Sequence, residues 1–270
     1  MKIILLGDSI TQGLGSKRVN FTEELSNLCY QDQIVNMALT GTTIKYASEH
    51  LDLFLEEKPD IAIILYGNVD AQLKPSRTGR IFKMLPPRFA HADGSMLLPR
   101  PFYSRTWYKN WGQHIENWMR TIFRKLIYFI DGTEQWVPAA QFMEGYRFVC
   151  ESFRDHDIGV ICSSTVAIDD KLFPGSNAEY QKYNDQIKQI AEELGCIYLD
   201  IYERFNSLIL SDGWKQFFND DHFHPNGRGY QLMAKWIYDA IEQLKERRGP
   251  EVIHLKKMQD SLDRKMMCEN

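Results

Sequence analysis

The chain has no long apolar run. Nothing in its 270 residues approaches the ~20 consecutive apolar residues that a membrane-spanning helix needs. The opening Met1-Lys2-Ile3-Ile4-Leu5-Leu6 is too short for a secretory leader, and Asp8 follows at once. It reads as a strand, and the protein is expected to be cytoplasmic. Charge of one sign is also scarce. The net charge of −4 gives no footing for a nucleic-acid partner. The five cysteines, Cys29, Cys150, Cys162, Cys196 and Cys268, include no C-x-x-C pair, which argues for scattered, mostly buried thiols rather than a disulfide framework. Five of the histidines (His50, His91, His114, His156 and His254) are dispersed, with no H-x-x-x-H and no cluster of carboxylates, so neither a metal nor a cofactor is expected. There is no internal repeat and no low-complexity tract.

What remains is the composition of an ordinary globular protein, 44% hydrophobic and 25% charged, long enough for one large core. Apolar, β-branched runs at 2–6, 33–37, 60–66, 159–163 and 196–200 read as strands. Amphipathic stretches at 20–30, 43–56, 138–155, 178–194 and 226–248 read as the helices between and after them. The strands are continuously apolar rather than alternating, which places them in a sheet buried on both faces. Strand–helix alternation then implies parallel order and an α/β sandwich.

Residues 71–136 break this rhythm. They hold eleven Lys and Arg against four acids, a surplus of +7 that leaves −11 on the rest of the chain. They are also rich in aromatics and proline, and are read as an insertion after the third strand, helical from about 108 to 130. The tail at 249–270 has mixed charge and is read as a short helix docked on the body or on a partner.

Two motifs carry chemistry. The first strand runs into Gly7-Asp8-Ser9, a place where a nucleophilic serine is displayed. Over two hundred residues later comes Asp221-His222-Phe223-His224-Pro225-Asn226. A serine hydroxyl is a weak nucleophile until a base takes its proton, and His224 is the candidate base. Asp221, three residues before it, is placed to accept from the other ring nitrogen and hold the useful tautomer.

On these residues the chain resembles the SGNH hydrolase superfamily, the GDSL esterases and lipases. Gly7-Asp8-Ser9-Ile10-Thr11 with Gly13 matches its first block, and Asp221-x-x-His224 with Pro225-Asn226 matches its last. Asn36-Met37-Ala38-Leu39-Thr40-Gly41 stands at the second block. The third block, Gly-x-Asn-Asp in the family, reads Gly67-Asn68-Val69-Asp70 here, with the asparagine one place early. The resemblance leaves the insertion uncovered. It implies a three-layer α/β/α sandwich on a five-stranded parallel sheet, with Ser9 as nucleophile, His224 as base and Asp221 as orienting acid. It also implies an oxyanion hole built from the N–H groups of Ser9 and Gly41 and the Asn68 amide. Gly41 is expected where a side chain would block the approach of backbone to that oxygen. Asp8 is expected to brace the Ser9 turn, and Asp8, Asp70 and His222 are the candidate substrate contacts.

The activity so implied is hydrolysis of a small acyl ester, with O-acetyl on a carbohydrate as first choice. Transfer of the acyl group to a polysaccharide hydroxyl, a lipase at a membrane surface, and a non-catalytic binding protein on the same fold stay open. The insertion begins at the carboxyl ends of the strands and is expected to wall the site, its cations and aromatics receiving an anionic, sugar-like substrate. Against this stand two plainer readings. In one, the insertion's helix packs on the body through Trp107, Trp111, Trp118, Ile122, Leu126 and Phe129, its cations solvated. In the other, residues 118–130 lie on an anionic membrane. The oligomeric state is not legible.

Overall fold

A computed structural model describes residues 1–16, 19–76, 78–85, 97 and 103–268, with side chains up to residue 249. Five parallel strands form the central sheet: β1 (Lys2–Gly7), β2 (Gln33–Asn36), β3 (Ile61–Leu65), β6 (Gly159–Ser163) and β7 (Ile197–Leu199), in the order β2-β1-β3-β6-β7. β1 pairs with β3 from Ile3↔Ile61 to Gly7↔Leu65. Ile3 to Leu6, Ile61 to Leu65 and Val160 to Cys162 are buried throughout, as continuous apolar runs require in a sheet covered on both sides. α1 (Phe21–Leu28) packs on α10 (Gly227–Cys268) on one side. On the other, α2 (Ile44–Glu49) packs on α7 (Ala139–Asp155), which packs on α8 (Ser176–Glu193). The result is the expected three-layer sandwich. Chain order moves from β1 outward to β2 and then back across to β3, so the topological switch point, where sites form in such sheets, lies beyond the carboxyl ends of β1 and β3.

The element boundaries follow local chemistry. Asn20 caps α1 by accepting from the N–H groups of Thr22 and Glu23. The stretch expected as one helix over 43–56 is two, α2 and α3 (Leu51–Glu56), parted where His50 leaves helical geometry. α9 (Ile201–Asp212), not anticipated, starts from an Asp200 cap that accepts from Glu203 N–H. α10 is broken by Gly249 at φ 71°; side chains of the tail, and so its docking, lie outside the described residues. The buried thiols of Cys150 and Cys162 stand 3.7 Å apart.

The insertion is tied off by a short antiparallel pair, β4 (Lys74–Pro75) with β5 (Thr133–Glu134). Between them come α5 (Arg80–Met84) and the 24-residue α6 (Trp107–Ile130). Asp131, just past α6, caps α5 by accepting from the N–H groups of Arg80 and Ile81. Phe82, Leu85, Leu97 and Ile127 form a small core of their own. The orientation of α6 reverses the packed-helix reading. Its aromatic stripe faces solvent, while Arg120, Arg124 and Ile127 face the protein. Arg120 pairs with Glu116 at 2.6 Å. Arg124 donates to the Leu172 carbonyl and lies 4.9 Å from the Phe173 ring centre. Arg77, Arg88 and Arg100, three of the insertion's cations, lie outside the described residues.

Candidate active site

The Ser9 loop leaves β1 through Gly7, whose missing side chain matters. A Cβ there would sit 2.1 Å from Thr11 Oγ1, so only glycine lets the chain double back this tightly. The turn is closed by Gln12 N–H to Asp8 O and Leu14 N–H to Ser9 O. The loop before the last helix is built with the same care. Asn219 donates its side-chain amide to the carbonyls of His224 and Pro225. Asn226 caps the helix by accepting from the N–H groups of Arg228 and Gly229. The two ends of the chain then meet. Tyr230 on the final helix donates its hydroxyl to Leu14 O at 2.6 Å, and Gly15, at φ +102°, lets the first loop close on the second. A Cβ on Gly15 would lie 2.8 Å from His224 Cβ.

This juxtaposition sets Ser9 Oγ 3.0 Å from His224 Nε2, and His224 Nδ1 2.6 Å from Asp221 Oδ2. The other oxygen of Asp221 accepts from the N–H groups of Phe223 and His224, both at 3.1 Å. Asp221 is buried, so its carboxylate is fixed by its own loop and has one free direction, toward the imidazole. Hydroxyl, imidazole and carboxylate thus stand in line.

Around the serine lie the other sequence candidates. Asn68 opens the one-turn helix α4 (Asn68–Ala71) after β3, outside the strand, so strand alternation does not govern where its side chain points. Its Oδ1 accepts from Val166 N–H at 2.9 Å and its Nδ2 donates to Asp8 Oδ2 at 3.3 Å. Asp8 is fully buried and also accepts from Ile10 N–H, which spans the serine. Burial pushes the Asp8 carboxyl up to about 6, against those hydrogen bonds and the field of His224, which pull it down. Asp70 is equally buried and accepts from Ile44 N–H and Gly67 N–H. Burial lifts it to about 7, hydrogen bonding from Ile44 opposes this, and the Asp8 charge adds to the rise. Both carboxyls brace backbone at the carboxyl ends of β1 and β3. Gly41 sits in the Leu39–Thr42 turn, which is held by Leu39 N–H and Thr42 Oγ1 donating to Gly7 O. A Cβ on Gly41 would meet no protein atom within 4 Å; glycine is needed there for φ +78° rather than for space. The N–H groups of Ser9 and Gly41 have no partner among the described residues.

His222 belongs to a second imidazole–carboxylate pair that the sequence did not announce. Its Nδ1 lies 2.7 Å from Asp169 Oδ2, and its ring stacks on Trp214 with centres 5.0 Å apart and planes 5° from parallel. Burial alone would raise Asp169, but hydrogen bonds from His222 and Lys171 N–H hold it below the usual range. Phe223 packs on Phe173 and edges the His224 ring. Asp169, Trp214 and Phe173 are joined to the site only by tertiary structure, and no local spacing signals them. Gly15 and Asn219 had a faint signal, a glycine pair after the serine and an asparagine shortly before the histidine.

Solved structures share this fold. A lipase/acylhydrolase from Enterococcus faecalis superposes with a TM-score of 0.58 at 16% identity, over 90% of this chain and 95% of that one. A catalytic mutant of an acetylxylan esterase from Geobacillus stearothermophilus gives 0.59 at 16%, over 89% and 93%. A GDSL-like lipase from Parabacteroides merdae gives 0.55 at 16%, over 90% and 96%. No curated protein matches the sequence. The family model of the GDSL-like lipases and acylhydrolases matches residues 5–232, from the strand before Ser9 to the helix after His224, and the chain belongs to that family of ester hydrolases.

Proposed function

We propose that the protein is a serine esterase that removes a short acyl group, acetyl in the first instance, from a carbohydrate hydroxyl. The observation that carries this is the alignment of Ser9, His224 and Asp221 at 3.0 and 2.6 Å. Ser9 Oγ attacks the acyl carbon while His224 Nε2 takes its proton, and Asp221 steadies the imidazolium that forms. The tetrahedral oxyanion is received by the N–H groups of Ser9 and Gly41 and by the Asn68 amide, each worth on the order of 3 kcal/mol of barrier. Collapse breaks the ester bond, and His224 returns the proton to the departing sugar oxygen. Water then attacks the acyl-enzyme, His224 takes one of its protons, and the acid leaves as Ser9 recovers its hydrogen.

The choice of a sugar ester rests on two supports. Trp214, half-buried, stacks on His222 of the loop that carries Asp221 and His224 and meets Phe218 edge-on, an aromatic ring near that loop of the kind on which sugars stack. The acetylxylan esterase that shares the fold is named for such a substrate. Arg120 and Arg124 turn inward and are not available to an anionic sugar, and a neutral acetylated oligosaccharide is the first substrate to test.

Turnover of p-nitrophenyl acetate and of acetylated xylooligosaccharides by the wild type and by Ser9→Ala tests the reading. The variant is expected to lose on the order of a thousandfold or more. Equal, slow rates from both would favour a non-catalytic binder. Acyl appearing on an added sugar acceptor instead of as free acid would make the protein a transferase with the same intermediate.

A further inference from the structure

α6 presents a surface that the catalytic reading does not use. Trp107, Trp111, Ile115, Trp118, Ile122, Leu126 and Phe129 recur at intervals of four, four, three, four, four and three. At 100° per residue they fall within a sector of about 100° along about 33 Å of helix. All seven are exposed: Trp107 by 81%, Trp111 by 68%, Trp118 by 65% and Phe129 by 89%. Soluble proteins rarely leave so long a contiguous apolar stripe in water without a partner for it.

The charges around the stripe choose the partner. Lys125, exposed, shares the helical angle of Trp107 at the edge of the stripe, and Arg105, also exposed, stands just before α6; Lys109 lies about 150° from the stripe's centre and takes no part. Glu116, the helix's one acid, is drawn to Arg120 on the inward face. Among the described residues, the outward face of α6 therefore combines aromatic rings with cations and shows no carboxylate. At its amino-terminal end a hollow is lined by Tyr103, Ser104, Arg105, Trp107, Asn110 and Trp111, a cation among aromatic walls. A second copy is a poor occupant. Two such helices brought together in parallel would set Lys125 against Lys125; in either sense they would offer the cations no acid to pair and would bury three indole N–H groups in a seam. An anionic bilayer meets both needs: its interface gives the indoles polar partners and its headgroups take the cations. No helix among the described residues is long and apolar enough to cross a membrane, so contact is at the surface.

We propose that the exposed face of α6 docks this enzyme, in plane, on the surface of an anionic lipid bilayer. The stripe sinks to the acyl boundary, and Arg105 and Lys125 engage the headgroups. This holds whichever ester Ser9 cleaves.

The test is co-sedimentation of the full chain with phosphatidylcholine vesicles, with and without 30% phosphatidylglycerol, at 50 mM and 500 mM salt. Binding is expected to the anionic vesicles, with a blue shift of tryptophan emission and a several-fold weakening at high salt. The double variant Trp111→Glu, Trp118→Glu changes only exposed positions. It is expected to lose at least tenfold in vesicle binding while keeping its melting temperature and its rate on p-nitrophenyl acetate. Lys125→Glu should weaken anionic binding a few-fold. The proposal is overturned if the wild type sediments with neither vesicle or binds both equally at either salt. It is equally overturned if sedimentation equilibrium shows a dimer that the double variant dissolves.

Discussion

Asn68 takes its orientation from its neighbours. Its Oδ1 is spent on Val166 N–H, so the amide hydrogens must point back toward Asp8 and the serine turn. A flipped amide would set NH2 against N–H and carbonyl against carboxylate. On the proposed mechanism, one hydrogen holds Asp8 and the other is left for the oxyanion. Asn68→Ala should then lower kcat by on the order of a hundredfold to a thousandfold with little change in KM, since the donor acts where charge develops. An unchanged kcat would leave the oxyanion to the two backbone donors. Asp221 offers a sharper contrast. Asp221→Asn keeps the shape but turns an acceptor into a donor facing His224 Nδ1, which favours the tautomer that cannot take the Ser9 proton. A loss on the order of ten-thousandfold in kcat, with the fold unchanged by circular dichroism, is expected; a loss under tenfold would remove Asp221 from the mechanism.

At the scale of elements, α6 shows what a buried guanidinium costs. Arg124 is fully enclosed, yet its Nε and Nη1 have no partner among the described residues, and burial pulls its pKa below the ordinary value. A cation left this way is a burden that a well-packed apolar side chain would relieve. Arg124→Met should therefore match or exceed the wild-type melting temperature by calorimetry, despite losing the bond to Leu172 O. A fall of more than a few degrees would mean that the guanidinium is better paired than its contacts indicate. The same helix marks where sequence reading stops. The strands were legible because runs such as Ile61 to Leu65 are buried on both faces and so are apolar at every position. Ser9, Asp221 and His224 were legible because each lies in a short local motif. For α6 the spacing revealed a stripe but not its direction. A helix whose long arginine stems pack inward while its aromatics face water has the same periodicity as one docked the usual way round. α9 could have been read from Asp200, Glu203 and Phe205. The pairing of His222 with Asp169, 53 residues apart, could not, because only tertiary packing creates it.

At the scale of the whole molecule, the site is assembled over two carboxyl groups that the fold would rather keep protonated. Asp8 rises from 3.8 to about 6 and Asp70 from 3.8 to about 7, both chiefly by burial. A group whose pKa is raised by folding gives its full stabilisation below the unfolded value. That contribution is lost as pH climbs through the folded value. Global stability should therefore decline between about pH 4 and pH 7 through these two groups, the opposite of what surface ion pairs would give. For Asp8 the shift of about two units corresponds to about 3 kcal/mol. Asp8→Asn removes that titration. It also sets one amide against the other at Asn68, a cost that does not vary with pH. The unfolding free energy of the variant relative to wild type, from urea titrations, is then expected to improve by about 3 kcal/mol between pH 4 and pH 7. A difference that stays flat with pH would show that Asp8 is charged at little cost in the folded protein. The variant has a second consequence. Part of the rise at Asp70 comes from the Asp8 charge, so the remaining decline in stability should shift to lower pH in Asp8→Asn.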